Sequence, residues 1–337
     1  MSKSKKMTKI PLPNPPIRRI VTGHDDDQNA IVTMDSQATN HKWPPNGMNV
    51  STLIWYADQM PADIWSREDF GSRVVDRQPV SRGTRICVID FLPGGPGMMH
   101  RTDTVDYVIC LSGEIDMELD EDVLVHMEEG DVMVQQGTNH SWINRGNQTA
   151  RLGFVLMDAK KTPGPGQTSP APSLPHDNMG PPPSPPIRRI VTTHDTSGKA
   201  IVGEDGFSSN HKWSVRGMIA TLIWSSDECP AEIWTGEDFG SRLIGTQPPK
   251  NGARFTINDY PANMPGRMHR TDTLDIIFCL KGEIDMELDN SAEVHLNKGD
   301  VMVQQGTNHS WWNRGKETCR LGIILIDAKP GPLPITA

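Results

Sequence analysis

Cysteine is scarce in this chain of 337 residues: Cys87, Cys110, Cys229, Cys279 and Cys319, an odd set with no C-x-x-C pair. A disulfide framework favours even sets in short secreted chains, and zinc ribbons favour paired spacings, so both are disfavoured. Cys110 and Cys279 lie within apolar, strand-like runs and read as buried thiols. No apolar run approaches the roughly 18 residues a membrane span needs. The basic residues Met1–Lys9 lead into Pro-rich polar sequence, not the apolar core of an export signal. Positive charge is also short: 33 Lys and Arg against 42 Asp and Glu leave a net charge of −9. That balance argues against nucleic-acid binding, which rests mainly on excess Lys and Arg. The expectation is a soluble, cytoplasmic protein with a small-molecule substrate, no nucleic-acid partner and no membrane partner. Helical periodicity is missing as well, and a hydrophobic content of 36% with 28 prolines and 30 glycines favours short elements and many turns.

What the sequence does have is an internal repeat. PPIRRIVT occurs at Pro15–Thr22 and Pro185–Thr192, NHKW at Asn40–Trp43 and Asn210–Trp213, and EDFGSR at Glu68–Arg73 and Glu237–Arg242. The longest block, MHRTDT then GEIDMELD then GDVMVQQGTNHSW, starts at Met99 and again at Met268. The spacing is 170 residues early and 169 later, so the unit is a whole domain and not a solenoid repeat. Between the copies, Thr162–Pro186 holds ten of the 28 prolines and reads as a semi-extended tether. The expected organisation is a flexible N-terminus at 1–14, a first domain at 15–161, a linker at 162–184 and a second domain at 185–337.

Within each copy the second half reads as β. Tyr107-Val-Ile-Cys-Leu is a short apolar run closed by Ser112-Gly113. Glu114–Asp120 then alternates strictly, placing Ile115, Met117 and Leu119 on one face. Turn signals recur at intervals of roughly 8 to 12 residues, the pattern of a sandwich or closed barrel. In the first copy Gly95–Gly97 precede His100-Arg101-Thr102, Asp106 and Gly113. Gly130-Asp131 opens a second segment through Gln135-Gln136-Gly137 to His140 and Asn144. The second copy repeats this as Gly266, His269-Arg270-Thr271, Asp275, Gly282, and Gly299-Asp300 through Gln304-Gln305-Gly306 to His309 and Asn313.

These residues resemble the two motifs of the cupin superfamily, and the duplication resembles a bicupin. The HRTDT-x-D and VQQGTNHSW patterns are similar to small single-domain cupins of bacteria and fungi, some associated with polyketide-type biosynthesis. The resemblance implies an all-β chain of two tandem double-stranded β-helix (jelly-roll) barrels. It also implies intramolecular pairing of the barrels, in a monomer or homodimer, with the PPIRRIVT arms able to cross between them. Metal-binding cupins use three His and one Glu; here the second His is Thr102 or Thr271, and the Glu is Asp106 or Asp275. What remains is His100, Asp106 and His140, with His269, Asp275 and His309 as the second set. Two His and one carboxylate would suit one divalent metal per barrel, Fe, Zn, Ni or Cu. Alternatively no cofactor is bound and the same residues work by hydrogen bonding and acid–base chemistry.

Around these sets, Thr102, Met98 and Trp142, with Thr271, Arg267 and Trp311, are the candidate substrate-binding residues. Trp142 and Trp311 lie two residues past the site histidines and share their face by strand alternation. If Met98 and Arg267 reach the mouths, the first pocket is the more apolar and the second suits an anion. Arg101 and Arg270 read as ion-pair partners, His24 and His194 as arm-docking residues, and His126 and His295 as structural. Three functions follow from the resemblance: a metal-assisted oxidation, oxygenation or aromatisation in secondary metabolism; a metal-free dehydratase, isomerase, decarboxylase or cyclase; or a non-catalytic binding or storage bicupin.

Overall fold

A computed structural model describes residues 12–161 and 181–331. Most of the linker, with His176, and residues 1–11 lie outside the described residues. Strand is the dominant regular structure of the described chain, joined by turns and irregular segments, and helix is limited to short 3₁₀ turns such as Phe70–Ser72. No helix among the described residues is long and apolar enough to cross a membrane.

Two eight-stranded sheets dominate. One runs, in hydrogen-bonded order, His41–Lys42, Asn49–Ala57, Thr84–Phe91, Ala150–Asp158, Thr104–Ser112, Val132–Gln136, Arg188–His194 and Ala200–Phe207. The other repeats this with the second copy, from His211–Trp213 to Val301–Gln305, and ends on Arg18–His24 and Ala30–Gln37. Each is closed by a three-stranded sheet, Glu114–Glu118 with Leu124–Glu128 and Ser141–Ile143 in the first barrel. The arms have therefore exchanged. Arg19, Ile20 and Val21 pair in parallel with Val301, Met302 and Val303, and Arg189, Ile190 and Val191 with Val132, Met133 and Val134. Repeat units and sheets do not coincide: residues 18–37 of the first unit belong to the second barrel. Each arm is first tied to its own barrel, where the buried Arg151–Asp90 pair also binds the Pro15 carbonyl at 2.7 Å. Arg320, Asp259 and Pro185 repeat the arrangement.

Three cores follow from strand alternation. In Thr104–Ser112, Val108 and Cys110 face the interior of their own barrel, while Val105, Tyr107 and Ile109 face the other barrel. With both faces covered, the run carries no polar alternation. In Glu114–Glu118 one face meets solvent, and alternation appears. Between the barrels, Tyr107 meets Phe255 at 5.5 Å between ring centroids and its hydroxyl bonds Ser226 at 2.7 Å. The sheets approach closely enough to require Gly at two points. A Cβ on Gly153 would lie 2.8 Å from the Phe278 ring, and one on Gly322 2.6 Å from Ile109 Cδ1.

The arm exchange places Ile20 in the second barrel's core, where it is fully buried beside Ile277 and Met302. Ile20→Ala is expected to cost about 2–4 kcal/mol. In hydrogen–deuterium exchange the protection should fall in Val301–Gln305 of the second unit. Loss confined to first-unit strands would contradict the exchange.

Candidate active site

The strand Val132–Gln136 turns at Gly137, whose φ of 56° is the left-handed region that suits glycine. The chain then reaches His140. Backbone bonds of 2.9 Å run both ways between His100 and His140 and pin the two histidines side by side, with ring centroids 4.3 Å apart. Carbonyl oxygens only accept, and both amide hydrogens of Gln135, whose Nε2 lies 3.1 Å from His140 Nδ1, are directed at Thr138. The bond from His140 Nδ1 to Thr138 O (2.9 Å) therefore puts the hydrogen on Nδ1 and leaves Nε2 as the acceptor of the neutral ring. His100 Nδ1 donates to Met98 O at 2.9 Å. Gln135 fixes the turn, donating to Thr138 O and Oγ1. Trp142 stands edge-on to His140 at 6.2 Å and to Phe154 at 5.7 Å, on the shared inner face expected from alternation. The second barrel repeats this with His269 and His309 at 4.3 Å, Gln304, and Trp311 against His309 at 6.0 Å.

The carboxylates stand apart from these pairs. Asp106 pairs with Gln135 on one side and Leu156 on the other, in a row that continues to Arg85. Its electrostatic neighbour is Arg85, whereas that of His140 is His100. Among the described residues, no group of three or more His, Cys, Asp or Glu side chains is arranged to hold a metal ion. The sets His100–Asp106–His140 and His269–Asp275–His309 are thus not gathered into one two-histidine, one-carboxylate group in this structure. Each supplies two imidazoles and a separate carboxyl. Irregular backbone at 101–103, with a bend at Asp103, separates His100 from the strand that begins at Thr104 and interrupts the face count.

That carboxyl has its own surroundings. Asp106 is buried, its Oδ1 has no partner, and burial pushes its pKa from 3.8 up to about 7 against the opposing hydrogen bond from Thr104. Thr104 Oγ1 in turn lies 2.8 Å from Thr102 Oγ1, so a hydroxyl chain leads from half-buried Thr102 to the carboxyl. Thr271, Thr273 and Asp275 repeat the chain, with 2.7 Å between the hydroxyls and a carboxyl pushed up to about 7. Burial drives the imidazoles the other way, His140 down to about 4 and His309 to about 3, with the neighbouring His100 or His269 adding to the effect.

The remaining expected residues divide. Met98 and Arg267 are exposed, and their contribution is the backbone carbonyl that orients His100 or His269. Arg101 and Arg270 pair with Asp103 and Asp272 at 3.4 and 2.5 Å. His24 and His194 dock the arms by stacking on Trp65 and Trp234 at 4.5 and 4.3 Å. His126 and His295 bond Asp116 and Asp285 on the outer surface. All five cysteines are buried and free. Two groups went unrecognised in the sequence. Arg85 and Arg254 are buried arginines on inward-facing strand positions. Thr104 and Thr273 are the middle links of the hydroxyl chains. The signal was present in a charged residue inside an otherwise apolar run, matched at a spacing of 169 residues in both copies.

The raised carboxyl pKa makes a stability prediction. Between pH 4 and 7 native Asp275 keeps a proton that the unfolded chain releases, so its contribution is complete below the unfolded pKa of 3.8 and is lost as pH rises through about 7. His309 runs oppositely: its contribution is present above 6.5 and is lost as pH falls through about 3. Asp275→Asn removes only the first effect. Its Tm advantage over the parent should grow by several degrees from pH 4 to 7 and level off above. A difference that does not vary with pH would return the carboxyl to its ordinary range.

Comparison with known proteins agrees with the barrels. The family model of the cupin domain matches residues 87–157. Phomopsin biosynthesis cluster protein C' of Diaporthe leptostromiformis is 30% identical over 165 residues, 47% of this chain and 85% of that protein. Cupin-domain-containing oxidoreductase fogC of Aspergillus ruber is 31% identical over 145 residues, 42% of this chain and 71% of that one. Among solved structures, AerE from Microcystis aeruginosa aligns with a TM-score of 0.43 at 12% identity, covering 92% of this chain and 97% of that one. The chain belongs to the cupin family and carries two of its barrels in tandem.

Proposed function

We propose that the chain is an enzyme of small-molecule biosynthesis that moves protons on a partly apolar metabolite held in its barrels. Asp106 and Asp275 are the groups that hold the proton. The observation that carries this reading is a buried carboxyl, with one oxygen free of partners, poised at about 7 and joined to a hydroxyl chain. A general acid–base group is most effective when its pKa lies near the working pH. Neutral His140 presents its bare Nε2 as an acceptor for a substrate hydroxyl, and Trp142 supplies an apolar wall. Thr104 and Thr102 return the proton towards the mouth. Dehydration, isomerisation, decarboxylation and cyclisation all fit this apparatus. The biosynthetic setting is supported by the relatives' names, which include biosynthesis cluster proteins and cupin-domain-containing oxidoreductases.

Oxidation is the second reading, favoured by the word oxidoreductase in those names. The histidine pairs would be its metal-binding elements. Elemental analysis of protein purified without added metal is expected to give less than one equivalent per barrel. A full equivalent, lost in His140→Ala with His309→Ala, would move the chemistry to a metal.

Activity tests use hydroxylated aromatic and unsaturated polyketide-like compounds, with products followed by mass spectrometry. Asp106→Asn combined with Asp275→Asn should lower turnover by about 10²–10⁴-fold. Undiminished turnover in the double variant would remove the carboxyls from the mechanism. Thr104→Val with Thr273→Val takes away the bond that lowers the carboxyl pKa, so the pH limb near 7 should move upwards. A uniform loss of rate without that displacement would mean that the hydroxyls act only in packing.

A further inference from the structure

The two barrels differ at one buried charge. In the first, Arg85 is tied down: Nη1 donates to Cys87 Sγ at 2.8 Å and Nη2 to Ser51 Oγ at 3.0 Å, and Asp106 lies within electrostatic reach. In the second, Arg254 occupies the matching position and is 8% exposed. The sequence has replaced its partners. Ser51 becomes Ala220, and Cys87 becomes Thr256, whose hydroxyl donates to Ile323 O. Tyr56, which flanks Arg85, becomes Ser225, whose buried hydroxyl has no partner. Among the described residues Arg254 makes no hydrogen bond or ion pair. Its buried Nε has no partner, as is also true of Arg85, so the difference lies at the Nη atoms. Burial alone lowers the Arg254 pKa to about 10, and the guanidinium stays charged at neutral pH.

Burying an unpaired guanidinium is costly, because the solvation lost at Nε is not replaced by a protein partner. Its placement shows what would relieve it. Phe255 and Ile257 face the other barrel, so Arg254 faces the interior of its own, as Tyr260 does. The cross-strand register sets it in one row with Leu325, Asp275 and Gln304. Gln304 lies 3.1 Å from His309. Strands are spaced about 4.8 Å apart, so two spacings, with Leu325 on the strand between, separate Arg254 from Asp275. We propose that the second barrel takes a carboxylate-bearing metabolite, with Arg254 as the counter-ion that orients it beside Asp275 and His309. The planar guanidinium matches a carboxylate by two parallel bonds. A single positive charge, with Leu325 beside it in the row and Trp311 in the same core, suits a monoanion on an apolar body better than a phosphate. This deepens the barrel-site reading by naming its substrate class in one barrel. The first barrel's arginine is already occupied and lacks that capacity.

The test is calorimetric titration of the full chain with benzoate, against benzamide as the uncharged isostere and inorganic phosphate as the competing anion. One benzoate should bind per chain, about tenfold or more tightly than benzamide, with phosphate weaker than benzoate. Arg254→Met should lose benzoate by a similar factor, while Arg85→Met changes it less than about twofold. Ala220→Ser with Thr256→Cys restores the partners seen in the first barrel and should weaken benzoate with the arginine still present. Thermal melts show whether each variant remains folded, and removing an unpaired charge should not lower the Tm in Arg254→Met. Equal binding of benzoate and benzamide, preference for phosphate, dependence on Arg85, or no saturable benzoate binding at millimolar concentration would each overturn the proposal. Asp275→Asn should retain benzoate, so failure of the acid–base reading leaves this one standing and separately measurable.

Discussion

The structure depends on the parallel pairing between each unit's arm and the other unit's Val-Met-Val-Gln-Gln strand. That strand leads directly into the turn carrying the site histidine. The arm grips the turn by side chains as well as backbone: Gln305 Nε2 donates to Thr22 O at 2.9 Å, and Thr22 Oγ1 lies 3.1 Å from Thr307 Oγ1. Gln136, Thr192 and Thr138 repeat these contacts in the first barrel. Each site is therefore braced by the other unit's arm. Without that strand, Val301–Gln305 would present an unpaired edge, and the turn reaching His309 would lose its buried partners.

The paired histidines and the displaced carboxyl follow from this bracing. The turn is held by the arm, and His140 meets His100 through a reciprocal pair of backbone bonds that sets their rings side by side. The carboxyl belongs to the next strand, where its environment is set by the sheet interior. Burial acts on the two kinds of group in opposite senses, neutralising both the imidazole and the carboxyl. The result is a site whose buried imidazoles, His140 and His309, are neutral and whose carboxyls stand near half-protonation at neutral pH.

Much of this was legible in the sequence. The repeat revealed two like domains, strict alternation in Glu114–Glu118 revealed a half-exposed strand, and the spacing of His140 and Trp142 put both on one face. The PPIRRIVT arms were recognisable as segments able to cross between barrels. Other features depend on distant register. Asp106 was grouped with His100 because it stands at the carboxylate position of the cupin motif, but the break at 101–103 means that strand alternation cannot be counted between them. Arg85 and Arg254 were hidden because their surroundings come from strands distant in sequence. The difference between the two depends on substitutions about 30 residues upstream and two residues downstream, which no local pattern connects.

The close contact between the sheets has a consequence for how the halves have come to differ. At matched positions the first unit projects Ile109 and the second Phe278, each onto a glycine of the opposite sheet. A ring and a branched aliphatic chain do not fill the same hollow. Two first units placed together would leave the Gly153 side underfilled, and two second units would crowd the Gly322 side. The halves have become complementary moulds of one another, so the fused chain is in substance a heterodimer whose subunits are no longer interchangeable.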